Sequence, residues 1–122
     1  SIYRHKKIDI VYLMHLLPSV RKFHNSKLFF SKIELSKILS CYSLGVSKGN
    51  WKDYAIIFGK QEASFYMFKH SLASPDCILT KITKNKKNSI VYNLKIQNSL
   101  KKKYNKIDDI LAFLKRRELH II

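Results

Sequence analysis

A chain of 122 residues suits one folded domain with a real core, and 46% hydrophobic residues with only three Gly and two Pro exclude a disordered or fibrous chain. No apolar run reaches the ~18 residues that a membrane helix needs. Lys and Arg number 24 against 8 Asp and Glu, a formal net charge of +16, and that balance points to polyanionic partners: RNA, DNA or an anionic membrane surface.

Two other features of composition bear on function. Twenty of the 24 basic residues are Lys, and Ile and Asn are plentiful, so A/T-rich codons account for part of the Lys excess. They do not account for the shortage of acids. The two cysteines, Cys41 and Cys77, are too few for a disulfide framework and lack metal-ligand spacing. Buried thiols in a reducing compartment follow, hence a cytoplasmic location.

Residues 1–26 read as a basic, amphipathic extension preceding one α+β domain at 27–122. SIYRHKK is basic, and Ile10, Leu13, Met14 and Leu17 share one face of a short N-terminal helix that Pro18 stops. Three readings stay open: a helix or arm packed on the domain, a basic helix lying on a membrane surface through residues 6–17, or a secretory leader. Against the last, Asp9 and His15 interrupt the apolar run and no small-x-small cleavage site follows. Lys27–Phe30 reads as a short strand or a hydrophobic staple.

Ser31 and Glu34 form an S-x-x-E capping box. Leu35, Ile38, Leu39, Tyr42 and Val46 follow as one apolar stripe at helical spacing. Gly45 or Gly49 supplies the left-handed stop. Trp51 then opens a strand over Lys52–Phe58, packing at the core rim with its indole N–H bonded to backbone; the functional alternative is a stacking platform for a base.

Phe30, Glu34-Leu35, Ile38-Leu39, Tyr42, Val46 and the run Gly49-Asn50-Trp51-Lys52-Asp53-Tyr54-Ala55-Ile56, with Ala63, Phe65, Phe68-Lys69 and Pro75, resemble a family of small, chiefly alphaproteobacterial proteins of unknown function. Their tracts are similar to F-x-R-x-E-L-x-x-I-L-x-x-Y and G-E-W-R-D-Y-A-I. Asn50 stands where an acid is usual, Lys32 and Lys52 replace Arg, and Ser43 replaces Gly. The resemblance implies a fold and a bacterial cytoplasmic origin, and brings no catalytic residue.

Beyond Phe58, Gly59–Glu62 is a hairpin turn and Ala63–His70 the returning strand. SLASPD is a loop, and Cys77–Thr83 a strand with Ile78, Thr80 and Ile82 on one face and Leu79 and Lys81 on the other. KNKKN turns the chain into Ser89–Ile96, where Ile90, Tyr92, Leu94 and Ile96 oppose Val91, Asn93 and Lys95. Leu100–Tyr104 is a short edge strand whose lysines discourage edge pairing. Asn105 caps a last helix carrying Ile107, Ile110, Leu111 and Leu114. The fold class is therefore α+β: an antiparallel sheet of about four strands, flanked by a helix before and a helix after, both on one face.

The chemistry-bearing residue types do not converge. The five His, at 5, 15, 24, 70 and 120, are scattered, and no paired-ligand, nucleophile-elbow or phosphate-loop motif is present. Asp108 and Asp109 are helix neighbours that point apart, Glu34 is a cap, and Asp53 suits a strand-start amide or a nearby cation. No catalytic residue, metal, cofactor or small-molecule substrate is expected. The stronger pattern joins Tyr54, Tyr66, Phe68 and Tyr92 on neighbouring strands with Lys52, Lys69, Lys81 and Lys95 between them. Bases stack on aromatic faces while phosphates pair with lysine. Residues 78–122 hold 12 of the Lys and Arg and 3 acids. Lys84, Lys86 and Lys87 at a turn, with Lys101, Lys102, Lys103 and Lys106 before the last helix, would track phosphates as one ridge. The expectation is a non-enzymatic nucleic-acid-binding domain, RNA or DNA, with little sequence specificity; Lys52, Tyr66 and Tyr92 join those seven lysines as its site. The alternative is a protein-interaction or structural module, such as a homodimer through the sheet face left bare by the helices.

Overall fold

The first helix starts where its capping box dictates. In the computed structural model, which describes residues 2–5, 27–70, 74–84, 89–97 and 100–118, the Ser31 hydroxyl accepts from the Glu34 amide at 3.0 Å and the Glu34 carboxylate accepts from the Ser31 amide at 2.8 Å. Helix α1 runs over Lys32–Ser47. Phe30 and Leu35, the two positions of a hydrophobic staple, are both buried. Leu28 forms no strand; its amide donates to the Gly59 carbonyl at 2.7 Å, and Phe29 packs on Phe58 with centroids 4.5 Å apart.

The helix ends differently from its apolar stripe. Gly49 holds the left-handed conformation at φ 80°, and the Asn50 amide donates to the Gly45 carbonyl at 2.8 Å. Val46 is exposed, and Cys41 and Gly45 join the buried face instead. The cause is Trp51: its ring lies on Gly45 so closely that a Cβ there would sit 2.0 Å from the indole. The glycine makes room for the tryptophan, whose ring covers the helix face at Gly45, while Val46 beside it points to solvent.

Five strands then form an antiparallel meander: β2 (Asp53–Phe58), β3 (Glu62–Phe68), β4 (Cys77–Lys84), β5 (Ser89–Ile96) and β6 (Leu100–Tyr104). That is one more than about four, because Leu100–Tyr104 pairs over its whole length, from Ile96↔Leu100 to Tyr92↔Tyr104. A further strand, β1 (Ile2–His5), lies antiparallel along the outer side of β2 with Ile2 opposite Ile57, giving a six-stranded sheet in chain order. The N-terminal helix expected at residues 8–17 falls outside the described residues.

The last helix, α2 (Ile107–Glu118), packs beside α1 on the same sheet face. Tyr54, Ile56, Phe58, Ala63, Phe65, Met67, Cys77, Leu79, Tyr92, Leu94 and Ile96 face these helices and build the core with Leu35, Ile38, Leu39, Ile110 and Leu114. Lys37 Nζ reaches Asp108 at 2.9 Å across the two helices. A parallel or all-helical chain is thereby excluded, and the α+β class stands.

Candidate nucleic-acid interface

Strand alternation sorts the expected site residues onto opposite faces. On β4 the core side is the one carrying Cys77, Leu79 and Lys81, so Ile78, Thr80, Ile82 and Lys84 turn away from α1 and α2. On β5 the residues turned away are Val91, Asn93 and Lys95; on β6, through the register Lys95↔Lys101 and Asn93↔Lys103, they are Lys101 and Lys103. The three consecutive lysines of β6 thus divide. Lys102 lies on the helix side, its ammonium 5.3 Å from the centre of the Phe113 ring.

The aromatic set divides as well. Tyr54 is buried under α1, stacked on Phe65 at 5.1 Å, and is no surface for a ligand. Tyr92, expected among the binding residues, is a correction: it is buried on the helix side and its hydroxyl donates to Glu34 Oε2. Lys81 is withdrawn in the same way. Its ammonium is buried, 2.7 Å from Glu34 Oε1 and 3.0 Å from the Phe29 carbonyl. Burial alone would raise the Glu34 carboxyl, but hydrogen bonds from Lys81, Tyr92 and the Ser31 amide, with the Lys81 charge, outweigh it and hold the carboxyl below its ordinary value. Burial, then the Glu34 hydrogen bond and charge, push the Tyr92 phenol upward.

Trp51 is likewise structural. Its indole N–H donates to Asp76 Oδ2 at 3.0 Å, a side chain rather than the backbone partner expected. Asp76 also draws Lys69 to 3.7 Å and Gln97 Nε2 to 3.4 Å, tying the corner after α1 to the ends of β3 and β5. Asp53 accepts from the Tyr54 amide at 2.8 Å, as a strand-start carboxylate should. Cys41 and Cys77 are buried thiols, and desolvation pushes Cys41 up to about 11.

What remains on the second face is a concavity of ≈ 500 Å³ over β3–β6. Its floor is Ser64, Tyr66, Ile78, Thr80 and Asn93, and its rim is formed by the side chains of Lys95, Lys101 and Lys103, with Glu62 as the one acid among the described residues lining it. Ser64 and Thr80 hydroxyls meet at 3.0 Å. Lys84 shares this face with Lys103; its side-chain hydrogen bond and then its charge hold the Lys103 ammonium below the usual lysine range. Tyr66 is half-buried and its ring lies 6.4 Å from that of Phe68 at 16°.

The remaining expected residues do not all gather here. Lys52 precedes β2, four strand spacings or about 19 Å from β6. Lys106 is exposed in the turn between β6 and α2, extending the basic run past the strand end. Lys86 and Lys87 lie outside the described residues. Sequence reasoning named Lys95 as an interleaved lysine but left it out of the site, and it missed Ser64, Thr80 and Asn93. The alternation of β5 was the available signal for Lys95 and Asn93. Among the described residues no group of His, Cys, Asp and Glu is placed to hold a metal, and no helix is long and apolar enough to cross a membrane.

Among the described residues, fold and face together define a small α+β domain, a single antiparallel meander with two helices on one side and a lysine-rimmed, tyrosine-floored hollow on the other. The chain belongs to the family described as protein of unknown function (DUF2794), which matches residues 28–110, from the segment before α1 into α2. No curated protein and no solved structure matches it.

Proposed function

We propose that this is a non-enzymatic domain of the bacterial cytoplasm that binds nucleic acid, RNA or DNA, with little sequence specificity, through the sheet face turned away from α1 and α2. One observation carries the reading: Lys95, Lys101 and Lys103 line a single concavity with Tyr66, and Lys84 of the adjacent strand lies on the same sheet face. Lysine contacts to phosphate give affinity without base readout, so weak sequence preference follows from the side-chain inventory.

A homodimer through the same face is the competing reading. A two-fold contact would set these four lysines of one copy near those of the other, and like charges in a desolvated interface are costly. The two readings separate in one experiment. Fluorescence anisotropy with labelled oligonucleotides should show micromolar or tighter binding that weakens steeply between low and moderate salt. Lys101→Glu with Lys103→Glu should reduce affinity at least tenfold. Unchanged binding in that double variant, or a dimer by light scattering that retains no oligonucleotide, would overturn the proposal.

A further inference from the structure

We infer that the concavity seats one base of a single strand, stacked on Tyr66, while the strand's backbone runs along β6; the inference rests on the nucleic-acid reading above. Tyr66 and Phe68 are two residues apart on β3, and their nearly parallel rings, 6.4 Å apart, stand like plates along the strand. Phe68 is buried and fixes one side of Tyr66. The next position on that face is Ser64, opposite Thr80. Both are small, so the row of plates is interrupted, and the hollow of ≈ 500 Å³ includes that interruption.

The edges of the gap suit a base. Its floor carries the paired Ser64 and Thr80 hydroxyls, each with hydrogen-bonding capacity left over. Asn93, opposite Thr80, adds an amide that both donates and accepts, so that any base edge finds a partner. Opposite Asn93 stands Lys103, and two residues before it Lys101 stands opposite Lys95. Lys101 and Lys103 are separated by about 6.8 Å along the strand, an interval that suits successive phosphates of an extended chain. A duplex keeps its ring faces stacked on one another and has none to offer Tyr66, so the occupant is single-stranded.

The test compares a labelled single-stranded oligonucleotide, a duplex of the same length and an abasic oligonucleotide of the same length, with the unaltered protein, Tyr66→Phe and Tyr66→Leu. The single strand should bind at least tenfold more tightly than the duplex or the abasic strand. Tyr66→Phe should retain that affinity, and Tyr66→Leu should lose about tenfold with its salt dependence unchanged. Equal binding of all three probes with lysine dependence intact would remove the base seat and leave the phosphate reading standing. Binding of none of them would remove both.

Discussion

Lys81 shows how one side chain can change its meaning when the chain folds. Its ammonium, buried beneath the start of α1, neutralises Glu34 and ties β4 to the cap. Removing it leaves a half-buried carboxylate facing a hydrophobic core. Lys81→Met should therefore cost about 2 kcal/mol, less than the ~3–5 kcal/mol of a fully buried broken pair because Glu34 keeps some contact with water. The loss is read from the urea midpoint at pH 7, and an unshifted midpoint would show the pair to be inert. The same carboxylate gives a pH signature. Its folded-state pKa lies below the ordinary 4.5, so the fold prefers it ionised. Its contribution to stability is complete above the unfolded value and is lost as pH falls through the lower folded one. Between pH 5 and 3 the wild type should lose more stability than Glu34→Gln, whose neutral amide cannot titrate. Parallel pH profiles would contradict the linkage.

Within elements, α1 is the clearest case of a local rule meeting a tertiary one. Helix propensity favours Ala over Gly by about 1 kcal/mol in a helix interior. At Gly45 the tryptophan ring occupies the space, with Trp51 Cε3 2.0 Å from where a Cβ would stand. Gly45→Ala should thus lower stability by a net of roughly 1–2 kcal/mol, since overpacking outweighs propensity. Thermal melts of the two proteins decide it, and an equal or higher Tm would sink the claim. The cap, the strand periods and the hairpin at Gly59 were all readable, because each is a relation between residues a few positions apart. The choice of core face on β4 was not: Ile78, Thr80 and Ile82 look as apolar as Leu79 and Lys81, and only the Glu34 partner 47 residues away makes lysine the inward residue. Tyr92 escaped for the same reason, its partner being 58 residues distant. Val46 was misplaced because nothing local says that Trp51 will fold back onto Gly45.

At the scale of the whole molecule, charge and topology act together. An up-and-down meander brings β4, β5 and β6 side by side, so lysines distant in sequence become one cluster. Alternation then selects which of them count. Binding through phosphates releases counterions, and for a single strand the slope of log affinity against log salt changes by about 0.7 for each phosphate neutralised. Replacing Lys84, Lys95, Lys101 or Lys103 singly by Gln should each lower the steepness by about that amount. Lys102→Gln should change it much less, because that ammonium sits over Phe113 on the other face, and Lys52→Gln should leave it alone at the distant strand. The comparison of Lys102 with its neighbours is the sharpest arm, since the three adjacent lysines are identical in chemistry and differ only in the side of the sheet they occupy. Titrations at four or five salt concentrations give each slope. If Lys102→Gln flattened the line as much as Lys101→Gln or Lys103→Gln, affinity would follow total charge rather than geometry, and the face would lose its claim to be the interface.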